Sequence, residues 1–133
     1  MVEAKEILEM IGNVSPDRLH MLDKIDAYVH CYIMNVPYSD QILHSVKSAK
    51  YGYAGIEANY VRSRNGLKGI RPEGWTFSVD ATLPEAGIEF VFHKKGFQPI
   101  VGKSLPTEEL AELHAIIQVI EHDRKIIVDT RNT

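Results

Sequence analysis

Tyr60-Val-Arg-Ser-Arg-Asn-Gly-Leu-Lys-Gly-Ile-Arg-Pro-Glu-Gly-Trp75, continuing as Thr76-Phe-Ser-Val-Asp80, is the stretch from which the rest of the chain can be read. Ser63 has the side chain of a helix N-cap, and Leu67 and Ile70 give the residues after it one apolar side over 64–70. Gly66 and Gly69 weaken such a helix by about 1 kcal/mol each relative to alanine, so it needs tertiary packing. Pro72-Glu-Gly74 is a turn. Trp75, Phe77 and Val79 then alternate with Thr76, Ser78 and Asp80, the period of a half-buried strand.

Downstream, Leu83-Pro-Glu-Ala-Gly87 reads as a hairpin connection. Ile88, Phe90 and Phe92 alternate with Glu89, Val91 and His93 as a second strand. Phe97 to Val101 reads as a third strand, and Pro99 sets it at an edge. Pro106 or Thr107 starts a last helix with Glu108 and Glu109 in its first turn, and Leu110, Leu113, Ile117 and Ile120 form its seam. On that pattern Glu108, Glu109 and Glu112 belong to a solvated face. The tail from Ile126 reads as a short strand or as disordered.

Upstream, residues 3–11 suit a short helix stopped at Gly12-Asn13. Ser15-Pro16 starts a second helix over about 16–33, with Leu19, Leu22, Ile25 or Asp26, Val29 and Ile33 as its stripe. Asn35-Val-Pro37 ends it. Ser39 or Asp40 caps a third helix, about 40–49, and residues 50–60 break periodicity as a long loop. The expected fold is α+β, a single domain with its core over 15–125: a small antiparallel sheet of about three strands packed between N-terminal helices and a long C-terminal helix. One sheet face is expected to carry both the last helix and the helix at 16–33.

Composition agrees with a globular domain. The chain has 133 residues, 44% hydrophobic and 25% charged. No apolar run reaches the ~20 residues of a membrane span. Cys31 is the only cysteine, so no internal disulfide can form, and a cytoplasmic setting is expected. The formal net charge of −3 conceals a division. Residues 1–40 carry 3 basic and 7 acidic side chains, 41–71 carry 6 basic and 1 acidic, and 72–133 carry 6 basic and 10 acidic. A positive middle between negative ends has two readings: an anion site, or a segment that packs beside the acidic helices within the chain or across an oligomer.

The motifs, Tyr60, Ser63 as cap, Pro72-Glu-Gly-Trp75 opening a strand, and Leu110-Ala-Glu-Leu-His-Ala-Ile-Ile117 as closing helix, with Leu22-Asp-Lys-Ile-Asp-Ala27 before them, resemble a family of small phage and prophage proteins whose domain is described as an ABA sandwich. The likeness spans roughly 19–122. Where family members often carry an acidic residue two after the cap serine, this chain has Asn65. The resemblance implies an accessory or anti-defence protein, with no established enzymatic activity and no catalytic residues to carry over.

Chemistry-bearing patterns are few. None of the six histidines forms HExxH, and a lone cysteine cannot form CxxC, so no metal is expected. No P-loop, GxGxxG or nucleophile elbow is present, and no cofactor is expected. Cys31 sits among Tyr28, Tyr32 and Ile33 and reads as a small core residue. The remaining pattern is Arg62, Ser63, Arg64, Lys68 and Arg71 at a capped helix start, with Tyr51, Tyr53 and Tyr60 available to stack a base. The first expectation is therefore a non-enzymatic binder of a phosphate-bearing small molecule such as a nucleotide signal. The alternative is a capped helix with solvated arginines in a protein that adapts or inhibits a host protein. A third reading, a small phosphodiesterase, would draw on Glu73, His44 or His93. Duplex DNA is not an expected partner, because the chain is acidic overall. Edge strands and an apolar helix seam lead us to expect a homo-oligomer.

Overall fold

A computed structural model of the chain describes residues 1–14, 17–80, 87–103 and 105–131. Ser15-Pro16 and Leu83 to Ala86, read above as a helix start and a hairpin connection, lie outside the described residues, as does the side chain of Leu19. The element order is α1 (Ala4–Asn13), α2 (Leu19–Met34), α3 (Asp40–Lys50), α4 (Arg64–Lys68), β1 (Thr76–Asp80), β2 (Glu89–His93), β3 (Ile100–Val101) and α5 (Glu108–Arg131). The fold is α+β, with a three-stranded antiparallel sheet in the order β1-β2-β3.

Local signals set most of these boundaries. Ser39 Oγ accepts from Ile42 N–H at 3.3 Å, and Ser63 Oγ accepts from Gly66 N–H at 3.1 Å. Asn35 ends α2 in the left-handed region at φ 56°, a conformation asparagine tolerates better than most side chains, and Val36 N–H donates to Cys31 O at 3.0 Å.

The sheet register places Phe77 opposite Phe92 and Val79 opposite Phe90. Trp75, Phe77, Val79, Phe90 and Phe92 therefore share one face, and α5 packs against it. On its far side α5 meets α1, which carries α2, which carries α3. The residue pattern put α2 on the sheet beside α5. Instead α2 lies beyond α1 and meets α5 through long side chains: Tyr32 O–H donates to Glu121 at 2.7 Å, and Arg124 donates to Tyr32 O at 3.1 Å.

This placement explains why α5 departs from a single seam. Ala111, Glu112, Ala115, Ile116 and Val119 are buried together with Leu110, Leu113 and Ile117. A helix covered on two sides needs apolar or small residues around most of its circumference. Glu112 is thus not on a solvated face, in contrast to the seam reading. Two further boundaries differ. The third strand is confined to Ile100–Val101, because Pro99 just before it has no N–H for the ladder. The segment after Ile126 is helical, continuing α5 to Arg131.

Candidate functional site

The basic stretch is anchored by a buried carboxylate. Asp26, fully buried on α2, accepts from Tyr60 N–H at 2.9 Å and from Val61 N–H at 3.1 Å, and it pairs with Lys50 from the end of α3. Burial pushes the Asp26 carboxyl up from its ordinary value, against the pull of Lys50 and the two backbone donors. Lys50 also pairs with Asp23 at 2.7 Å, so one cluster fastens α2, α3 and the chain entering α4. Gly66 then lets α4 lie against this entering segment. A Cβ there would fall 1.8 Å from Asn59 O, so glycine is required by backbone contact rather than by any ligand.

The arginines have internal partners. Arg62 meets Asp23 at 3.4 Å. Arg64 pairs with Glu108 and stands 3.7 Å from Glu112. Arg71 pairs with Glu112 and lies over the Phe77 ring, 4.6 Å from its centroid. Glu112 is fully buried, and one of its oxygens, Oε2, has no hydrogen-bond partner, nor has Arg71 Nε. Of the two readings of the charge division, the second holds for these groups. The positive middle is neutralised by Asp23 and Asp26 from the acidic N-terminal part and by Glu108 and Glu112 from the acidic C-terminal part.

The eight residues proposed as one site are therefore not brought together as one. Arg62, Arg64 and Arg71 point to separate carboxylates, Ser63 is spent as a cap, and Tyr60 is buried. Lys68 is exposed and forms no ion pair among the described residues. Tyr51 and Tyr53 project into solvent from the loop after α3, at 78% and 76% exposure. A cleft of about 510 Å³ does open beside α4, lined by Lys50, Glu57, Asn59, Asn65 and Ile70 among others, but only Tyr60 and Ser63 of the eight line it. Arg71 pairs with Glu112 of α5 rather than with its near neighbour Glu73.

The residues of the phosphodiesterase reading do not assemble either. Glu73, His44 and His93 are exposed in three different places, on the turn before β1, on α3 and at the end of β2. His93 Nε2 lies 3.3 Å from Ser78 Oγ, a pair the sequence did not suggest, and both side chains are exposed on the outer sheet face. Among the described residues, no group of three His, Cys, Asp or Glu is arranged to hold a metal ion, and no helix is long and apolar enough to cross a membrane.

No protein-family model matches this chain, and no curated protein or solved structure matches it. The likeness to the phage ABA-sandwich proteins thus rests on the sequence motifs alone.

One surface stands out once the arginines are accounted for. β1 is the outermost strand and all five of its residues are exposed. Phe77 and Val79 point to the same side as the buried Phe90 and Phe92 yet keep 38% and 42% of their surface exposed, because β1 overhangs α5. Among the described residues no other backbone segment pairs with the outer side of the strand over Thr76 to Val79. The sequence carried the strand but could not say that the helix would stop short of it.

Proposed function

We propose that this chain is a non-enzymatic accessory protein that binds another protein along the outer edge of β1, as an adaptor or an inhibitor. The observation that carries this reading is the exposure of Phe77 and Val79 on an edge strand that α5 leaves uncovered. An added strand would gain main-chain hydrogen bonds along β1, and its side chains would cover the two apolar groups. An edge of this kind is otherwise an aggregation hazard, so a partner that occupies it resolves the hazard. The resemblance to phage proteins implies that the partner is a protein of a bacterial host.

Capture of a phosphate-bearing ligand by Arg62, Arg64 and Arg71 is disfavoured by their ion pairs. Withdrawing Arg71 toward a ligand would take from the buried Glu112 its nearest counter-charge, a loss of about 3–5 kcal/mol for a buried pair. A mutational test follows. Val79→Lys is expected to weaken partner binding at least about tenfold, some 1.4 kcal/mol, while Arg62→Ala leaves it unchanged. Arg64→Glu is unsuitable as a control, because it sets a carboxylate beside Glu112. Full retention of binding in Val79→Lys and Phe77→Lys, in folded protein, would remove β1 from the interface.

A second copy of the chain is the competing occupant, and the residues of the strand permit it. In Thr76-Phe-Ser-Val-Asp80, antiparallel pairing centred on Ser78 sets Phe77 against Val79 of the other copy and Thr76 against Asp80, with no like charges opposed. Ser78 would face itself at about 4.5–5.5 Å between Cα atoms, within disulfide range. Ser78→Cys is then expected to give a disulfide-linked dimer under mild oxidation. Since Cys31 is buried, such a crosslink reports position 78. A Ser78→Cys chain that stays monomeric by light scattering assigns the edge to a different protein.

A further inference from the structure

We infer that the groove between α1 and α5 is a binding site for a small phosphate-bearing anion, separate from β1 and from the arginine stretch. The groove holds about 480 Å³ and is lined by Lys5, Glu9 and Asn13 of α1, by Lys103 after β3, and by His114, Glu121 and Lys125 of α5. A cavity of this size falls within the range of about 300–1,000 Å³ typical of small-molecule sites.

The lining is rich in donors that the protein leaves unused. Among the described residues, the exposed Lys5, Lys103 and Lys125 form no ion pair, in contrast to Lys50 and the three arginines. Gly12 leaves room for the Lys103 ammonium: a Cβ there would come within 3.1 Å of its Nζ. His114 adds a directed donor. Its Nδ1 accepts Lys103 N–H at 3.1 Å and faces Gln118 Nε2 at the same distance, so Nδ1 carries no proton and the neutral ring holds its hydrogen on Nε2. Among the described residues, no hydrogen bond to that Nε2 is formed. Burial and Lys103 both lower the ring's affinity for a second proton, which keeps it in this form.

The acceptors in the groove are partly committed. Glu121 accepts Tyr32 O–H at 2.7 Å, and Glu9 is exposed on the α1 side. Three ammonium groups and one N–H therefore face two carboxylates. That balance suits a compact anion with charge concentrated on phosphate oxygens, for which lysines serve as point charges. It does not suit a long polyanion laid across both glutamates. The groove escapes notice in sequence because its cations come from residues 5, 103 and 125, each isolated in its own segment.

Calorimetric titration of the full chain with pyrophosphate and with ATP, together with NMR of the His114 ring, is the test. Saturable binding is expected, with a shift of the His114 signals and affinity that drops with added salt. Lys103→Ala, and separately Lys5→Ala with Lys125→Ala, should weaken it at least about tenfold. Arg62→Ala should leave it unchanged. Preference for ATP over pyrophosphate would mark the ligand as a nucleotide, and equal affinity would mark the phosphates alone as sufficient; either supports the site. Absence of binding to the folded chain, or binding that survives loss of all three lysines, or binding abolished by Arg62→Ala, overturns it.

Discussion

Glu112→Ala is expected to remove about 1–3 kcal/mol of folding stability, the cost of leaving the half-buried Arg71 guanidinium without its acceptor. Glu112 is the carboxylate on which Arg64 and Arg71 converge, and its side chain has no solvent exposure, whereas the two guanidinium groups are partly open at 38% and 22%. Truncation leaves Arg71 wedged over Phe77 with no counter-charge and opens a cavity inside α5. For a domain whose total stability is about 5–15 kcal/mol, such a loss is visible as a large fall in the denaturant midpoint. Glu112→Gln keeps the volume and one acceptor and should lose less. The double variant Glu112→Ala with Arg71→Ala should lose less than the sum of its singles, because each single leaves the other's partner stranded. A loss below about 0.5 kcal/mol, the scale of a surface change, would return Glu112 to the solvated face that simple helix periodicity assigns to it.

The second large effect belongs to Asp26. Asp26→Ala deprives Tyr60 N–H and Val61 N–H of their acceptor and strips Lys50 of its buried partner. With about 1–3 kcal/mol for each stranded buried group, a loss of about 3–5 kcal/mol is expected from urea unfolding. Asp26→Asn should be milder, since its Oδ1 can still accept both N–H groups and Lys50 retains Asp23, even though its Nδ2 then faces the Lys50 ammonium donor to donor. The pH dependence separates charge from hydrogen bonding. The folded-state value of Asp26 is raised by burial, so between the unfolded value of about 3.9 and that raised value the native state binds the extra proton. Stability due to this group is therefore highest at the acid end of that window and falls as pH rises through it, opposite to the usual carboxylate. Subtracting the Asp26→Asn curve from the wild-type curve should leave this falling slope. A difference that rises with pH would mean that Lys50 outweighs desolvation.

Both residues bear on function through what they withhold. Together with Asp23 and Glu108, they absorb the cations of the positive middle of the chain. Lys50, Arg62, Arg64 and Arg71 are thereby converted into fasteners between α2, α3, the segment entering α4, and α5. The recognition surfaces proposed above are the edge of β1 that α5 leaves uncovered and the lysine-lined groove between α1 and α5.

Sequence alone determined the elements whose causes lie within a few residues. Ser39 and Ser63 cap the helices that follow them, Asn35 and Pro37 stop α2, and the alternation from Trp75 to Val79 and from Ile88 to Phe92 makes two strands with one apolar face. One misread signal was present: Asp26 sits within the apolar stripe of α2, where an acidic residue must find a partner. Tertiary structure decided the rest, because the partners are far apart along the chain. Asp26 and Tyr60 are separated by 34 positions, Arg71 and Glu112 by 41, and Arg64 and Glu108 by 44. A charge read in its own segment looks solvated or available. Whether it is instead paired depends on α5 threading between the sheet and α1, and no local pattern of side chains encodes that packing.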